Sequence, residues 1–246
     1  MPSDNAPGKF GRLFRRWLLL VVLSGLGLQI YFVARVIAMR YVDPQSTAFE
    51  RSQIMQMLQS EHGLRWRQQW MPAKRINTSL SRAVIASEDD MFASHDGVQW
   101  QAIQKAWQRN EKAQARTPPK GKAPKVVGGS TITQQLAKNL FLSGERNFLR
   151  KGQELVITLA LETFLSKQRI LEIYLNHVEW GKGVFGAQAA AQHYFSKSAA
   201  GLSSWEAARL AVMLPRPKYF EKLPQSPYLA ERAQTIQARM GAAELP

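Results

Sequence analysis

The 246-residue chain has no cysteine, so neither disulfides nor a thiolate metal site can organise it, and the redox compartment is left open. Its four histidines, His62, His95, His177 and His193, lack the i, i+4 pairing of helical zinc sites, and no metal-ligating residues are assigned. Acid is scarce: 18 Asp and Glu stand against 33 Lys and Arg, a net charge of +15 that calls for an anionic partner. Alternating strand-like runs longer than a few positions are missing, as is any internal repeat. The chain therefore reads as mainly α.

What is present begins with Trp17 to Ala34, an uncharged and mainly apolar stretch near the lower length limit for spanning a hydrocarbon core of roughly 30 Å. Lys9, Arg12, Arg15 and Arg16 precede it, and only Arg35 and Arg40 follow closely. That asymmetry predicts a cytoplasmic basic N-terminus over 1–16, a transmembrane helix over 17–34 and an exported domain over 44–246. A cleaved signal peptide is the plainer alternative, but the apolar run is long for one and no small-x-small site follows it. An exported, tethered domain meets phospholipid and lipid-linked phosphate, so these are expected as partners in preference to nucleic acid. A basic surface serving only solubility or membrane adhesion would carry the same charge.

Helical patterning fills most of the remainder. Pro44 to Glu61 reads as a short helix with Ile54, Met57 and Leu58 inward, whereas Leu64 to Pro72 receives no assignment. Leu80, Ala83, Val84 and Ser87 mark a helix ending near Glu88, followed by a turn at His95-Asp96-Gly97. Trp100, Ile103 and Trp107 give a core stripe to a helix from Val98 to Gln108. Arg109 to Lys125, with three prolines and five Lys or Arg from Lys112 on, reads as a mobile solvated linker. Thr131 and Gln134 then form a capping box ahead of Ile132, Leu136 and Leu140. Phe148 to Phe164, apolar nearly all round beyond Glu154, is expected to be a central buried helix. Ser166 caps the next, Gly181, Gly183 and Gly186 punctuate a turn before Ala187 to Phe195, Ser203 and Glu206 form a second capping box, and a last helix covers Pro227 to Met240.

Four polar clusters stand out against this background. Glu88 closes an apolar helix, where partial desolvation would raise its pKa and make it a better base near neutrality. A solvated acidic helix end is the plainer account of Glu88, Asp89 and Asp90, although three acids there oppose the helix dipole. Gly128-Gly129-Ser130-Thr131 leads into a helix and offers backbone N–H groups and two hydroxyls to an anionic oxygen; an ordinary glycine-hinged cap would look the same. Gln134 and Lys138 share that helix's polar face. Arg150 and Glu154 are spaced i, i+4 and could be a simple surface pair, yet an acid entering a buried stretch requires partners, which Arg150, Lys151 and Lys138 can supply. Lys167, Tyr174 and Asn176 read most simply as structural.

Together these clusters resemble the peptidoglycan glycosyltransferases. The resemblance rests on Glu88-Asp89-x-x-Phe92-x-x-His95-x-Gly97, then Gly128-Gly129-Ser130-Thr131-Ile132-Thr133-Gln134-Gln135-x-x-Lys138-Asn139, then Arg150-Lys151-x-x-Glu154, and finally Lys167-x-x-Ile170-Leu171-x-x-Tyr174-Leu175-Asn176. It spans about Leu80 to Leu214 in the family's order. It implies a lysozyme-like helical domain, anchored in the bacterial inner membrane with its catalytic part periplasmic, that polymerises lipid II into β-1,4-linked glycan. Glu88 would be the base on the acceptor hydroxyl, and Glu154 the second catalytic carboxylate. Lys138, Arg150 and Lys151 would belong to the donor pyrophosphate, with His95, Ser130, Thr131, Gln134, Gln135 and Asn139 among the substrate-binding residues. Gln99 stands where the family commonly has an acid, a departure read as tolerated variation.

No cofactor is implied with certainty; Mg or Mn could share the pyrophosphate's charge, although no clear ligand set is displayed. The growing lipid-linked glycan and the membrane are implied partners, other cell-wall synthesis and division proteins further ones. Ser-x-x-Lys and Lys-Thr-Gly are absent and the only Ser-x-Asn is Ser3-Asp4-Asn5, so no transpeptidase activity is expected. Two rivals remain: a lysozyme-type lytic hydrolase, also built on a glutamate, and a non-catalytic membrane-bound scaffold for cell-wall synthesis.

Overall fold

A computed structural model describes residues 9–61, 63–100, 104, 108, 111, 129–142 and 148–246. The expected helix from Val98 to Gln108 and the basic linker from Arg109 to Lys125 lie largely outside these residues.

Helix α1, Lys9–Ala38, is apolar and uncharged enough over Phe10–Ala38 to cross a membrane. At about 1.5 Å per residue it exceeds the roughly 30 Å required. It continues past both ends of the 17–34 span, and its C-terminal end joins the helical body: Val36 and Met39 are buried in the main core. Phe32 meets Phe141 edge-on at 5.2 Å between centroids, and Gln29 and Gln153 exchange two amide hydrogen bonds of 2.7 and 2.9 Å.

Helix α2, Ala48–Leu58, starts in a capping box between Thr47 and Glu50. Its buried face differs from the expected one: Glu50, Gln53 and Met57 turn inward, while Leu58 is exposed. The reason is a buried hydrogen-bond cluster around Glu50. Glu50 Oε1 lies 2.7 Å from His177 Nδ1 and accepts from Gln68 Nε2 at 2.9 Å, while Oε2 accepts the Thr47 N–H at 2.7 Å. His177 Nε2 faces the Pro44 carbonyl at 3.0 Å. One cluster thus ties the segment after the anchor to the body.

The 64–72 segment contributes strand β1, Arg67–Gln68, to a three-stranded sheet in the order β1-β3-β2, with β2 at Glu179–Gly181 and β3 at Val184–Phe185. β1 runs parallel to β3 and β2 antiparallel to it. Gly183 makes this approach feasible: its φ is +74°, and a Cβ there would sit 1.8 Å from the Arg65 carbonyl oxygen.

The helical body is built from α3, Thr78–Glu88; α4, Ile132–Phe141; α5, Phe148–Phe164; α6, Lys167–His177; α7, Ala187–Phe195; α8, Ser204–Met213; the short α9, Pro217–Phe220; and α10, Pro227–Arg239. The caps predicted at Thr131, Ser166 and Ser203 all form. Helix α5 departs from the expectation of burial all round. Ile157, Thr158 and Leu161 are buried, but Leu149, Val156 and Leu159 are exposed. This helix packs beside α1, and these three residues stay exposed with α1 in place.

Removing a buried acceptor leaves its donors unmet. Glu50→Ala is therefore expected to destabilise the protein by about 1 to 3 kcal/mol, read as a lowered thermal unfolding midpoint in detergent. An unchanged midpoint would show that the Glu50–His177 cluster does not hold the body together.

Candidate active site

Glu88 is the last residue of α3, whose inner face is Leu80, Ala83, Val84, Ile85 and Ala86. Burial pushes its carboxyl above the ordinary glutamate range; the Gln135 hydrogen bond pulls it back and the charge of Asp89 adds to the rise. Gln135 Nε2 donates to Oε2 at 2.8 Å, and the Gln135 carbonyl accepts from the buried Tyr174 hydroxyl at 3.0 Å. That hydroxyl is itself raised well above the usual tyrosine value, by burial first and then by the charges of Glu88 and Asp89.

Asp89, one residue on, has a different environment. Its buried carboxylate accepts from Gln99 Nε2 at 2.6 Å and from the Ile132 N–H at 3.0 Å, and both its oxygens lie within 3.0 Å of His95 Nε2. His95 Nδ1 accepts the Gly97 N–H at 2.9 Å, so the ring carries its hydrogen on Nε2 and gives it to Asp89. Gly97 has φ +83°, and a Cβ there would press on Thr158 and Glu162 at 2.8 Å.

This arrangement gives three of the expected binding residues partners within the protein. The N-terminus of α4 does attract an anion, but the anion is Asp89, through the Ile132 N–H. The Thr131 hydroxyl donates to the Gly97 carbonyl at 2.7 Å and accepts the Gln134 N–H, while Gln134 Oε1 accepts the Thr131 N–H. His95 is taken up at both ring nitrogens. His95 and the Thr131 hydroxyl thus form part of the frame of the site, and Gln134 divides its amide between cap and cavity wall.

Beside this frame opens a cavity of about 320 Å³ lined by Ser130, Gln134, Gln135, Lys138, Asn139, Arg150, Lys151 and Glu154, with Phe49 and Leu142. Glu154 is buried, accepts from Arg150 at 3.1 Å, and also pairs with Lys151. Both of its oxygens are thereby engaged. Among the described residues no group of three or more His, Asp or Glu could hold a metal ion. The cavity's one carboxylate faces cations, so its donor set does not fit a protein-held divalent ion.

The structure thus brings together Gln134, Gln135, Lys138, Asn139, Arg150, Lys151, Glu154 and Ser130 at one cavity, and joins Glu88 to it through Gln135. It also recruits residues that the sequence reading left as structural. Lys167 donates to the His95 carbonyl and to Glu162 at 2.8 Å, and lies 4.7 Å from the Phe92 ring centre. Thr133 donates to the same Glu162 oxygen at 2.6 Å. Glu162 was missed: on a helix read as apolar, only its distance of five residues from Lys167 hints at a partner. Gln99 supplies a hydrogen-bond donor where an acid would repel Asp89.

Comparison with known proteins agrees on one family. A family model described as Transglycosylase matches residues 52–241. The chain is 51% identical over 249 residues to a biosynthetic peptidoglycan transglycosylase of Burkholderia thailandensis, covering all of this chain and 94% of the relative. Proteins of the same name from Paraburkholderia xenovorans and Herminiimonas arsenicoxydans are 49% and 51% identical; each alignment covers 94% of this chain and, respectively, 94% and 96% of the relative.

A raised carboxyl pKa in the folded state means that ionising Glu88 costs stability. The cost is absent below the ordinary glutamate pKa and appears as pH rises through the raised value. Glu88→Gln removes that cost. The variant should stay within about 1 kcal/mol of the parent, and its unfolding midpoint relative to the parent should rise from acid to neutral pH. A relative midpoint that falls over that range would contradict the desolvated carboxyl.

Proposed function

The chain belongs to the transglycosylase family, and from that premise we propose that it is a peptidoglycan glycosyltransferase that polymerises lipid II into β-1,4-linked glycan, with Glu88 as the general base. The observation that carries this reading is the span from Glu88 through Gln135 to a cavity walled by Lys138, Arg150 and Lys151. A base and a cation cluster are two halves of one displacement. The acceptor's sugar hydroxyl gives its proton to Glu88 as its oxygen bonds to the donor's anomeric carbon. The carbon–oxygen bond to the α-linked pyrophosphate breaks on the opposite face, which makes the new linkage β, and undecaprenyl pyrophosphate departs with the bonding electrons.

Charge grows on that leaving group, and fixed cations in a partly enclosed cavity stabilise it. Glu154 acts here through Arg150 and Lys151: it holds them in place and limits their mutual repulsion. A divalent Mg or Mn ion, where one takes part, would arrive on the pyrophosphate oxygens, because Glu154 is already engaged. A hydrolase acting on finished glycan has no use for this cation cluster.

Helix α1 is a single membrane anchor in composition and length. The basic residues before it support the bacterial inner membrane with the catalytic body in the periplasm, where lipid-linked precursor and growing glycan are met. A reporter fused after Pro246 that requires periplasmic folding should be active; activity of a cytoplasm-dependent reporter instead would reverse the topology.

Purified protein incubated with lipid II, with and without chelator, tests the activity. Long glycan is the expected product, and cleaved glycan or unchanged lipid would point to the hydrolase or the scaffold. Glu88→Gln should nearly abolish polymerisation while keeping affinity for a non-reactive lipid-pyrophosphate analogue. Arg150→Ala or Lys151→Ala should weaken analogue binding and lower kcat/KM by about 2 to 4 kcal/mol in transition-state terms. The reverse pattern, with the analogue lost only in Glu88→Gln, would overturn this division of roles.

A further inference from the structure

Tyr174 reads in the sequence as a core aromatic, and it is fully buried on α6. Its hydroxyl is nonetheless one member of a three-group chain that ends on the base: Tyr174 to Gln135 at 3.0 Å, Gln135 to Glu88 Oε2 at 2.8 Å. The direction of this chain follows from chemistry. A buried tyrosine hydroxyl that keeps its proton must find an acceptor, and the amide carbonyl is the acceptor it meets. With its carbonyl so occupied, Gln135 can turn only its NH2 toward Glu88.

We infer that Tyr174 is a positioning residue that locks the polarity of the Gln135 amide, and that this lock makes Glu88 Oε1 the oxygen that takes the acceptor's proton. Glu88 Oε2 faces an N–H donor, which can stabilise a carboxylate oxygen but cannot receive a proton from it. Oε1 forms no hydrogen bond among the described residues and is left for substrate. The inference rests on the reading of Glu88 as base.

Were the amide reversed, its carbonyl would face Glu88. It would repel the carboxylate and accept from the protonated acid, which stabilises the wrong form for a base. Asp89, beside Glu88, already opposes its ionisation. Tyr174 faces it across from α6 and stays neutral, and α4 presents the neutral Gln135. The orientation of one uncharged amide therefore weighs on how readily Glu88 ionises. No direct contact between Tyr174 and substrate is needed.

Tyr174→Phe removes only the hydroxyl and frees the amide to reverse. Polymerisation of lipid II by the full-length variant should show kcat reduced about tenfold, the scale of one lost hydrogen bond to a reacting group. Affinity for the lipid-pyrophosphate analogue should be unchanged, and the acid limb of the pH–rate profile should move to higher pH. In a Gln135→Leu background there is no amide to orient, so adding Tyr174→Phe should cost little more; this non-additivity separates a lock from general packing.

An unmoved acid limb, or an equal penalty in both backgrounds, overturns the inference while leaving Glu88 as base. Should Tyr174→Phe fail to fold, Gln135→Leu alone serves instead. It removes the N–H donor that the lock turns toward Glu88, so the acid limb should again move up, and a stationary limb overturns the inference. Ordinary activity in Glu88→Gln would remove the base itself, an outcome distinct from all of these.

Discussion

The buried carboxylate of Asp89 is the constraint on which the site depends. It takes the N–H at the start of α4, the ring of His95 and the amide of Gln99, and so fixes the end of α3, the loop after it and the next helix to a single point. Each of these donors would cost free energy if left buried and unmet, and each is met by the same group. Because Asp89 directly follows Glu88, anchoring it also sets where the proposed base emerges. Lys167 and Thr133 reinforce the arrangement from the other side through Glu162 and the His95 carbonyl. The helix end that carries Glu88 is thus held by interactions within the protein.

Adjacent carboxylates with unlike surroundings are how one short segment performs two tasks. Asp89 is surrounded by donors and has no capacity left for a ligand. Glu88 has one hydrogen-bond donor, a negative neighbour and a largely apolar helix behind it, and its carboxyl is held above the ordinary range in consequence. A base working near neutrality benefits from that displacement, since a weakly held carboxylate charge accepts a proton more readily. The pairing also explains why three acids sit together at a helix end where the dipole disfavours them: Asp89 is neutralised by the start of another helix, and Asp90 is exposed.

Much of this was legible in the sequence because caps and apolar stripes are local. The boxes at Thr131 and Ser203, the stripe of Ile132, Leu136 and Leu140, and the cation cluster around Glu154 depend on neighbours within one or two turns. What escaped notice depends on distance along the chain. Glu50 on an unremarkable polar face pairs with a histidine 127 residues away, and that contact decides which side of α2 is buried. Asn176 looks like a polar helix end, yet it is wholly buried and bonds the Met71 backbone at both its N–H and its carbonyl, 105 residues upstream. The apolar circumference of α5 was misleading for another reason. Periodicity registers apolar residues but not which of them the fold covers, and Leu149, Val156 and Leu159 stay exposed.

The cavity's electrostatics follow from the same economy of charge. Two cations projecting into one cavity repel each other, and three with Lys138 would do so more strongly if nothing negative lay among them. Glu154 lies behind them and is buried, so its charge is poorly screened by water and acts strongly on Arg150 and Lys151. The carboxylate therefore makes the cation cluster tolerable, at the expense of part of its pull on an arriving anion. The pyrophosphate of the proposed reaction would still find a net positive environment, because one buried acid faces more than one base. As charge builds on the departing oxygens, the attraction increases while the frame does not have to move. The cations are placed before the bond breaks, which is the condition under which charge stabilisation favours the transition state over the bound substrate.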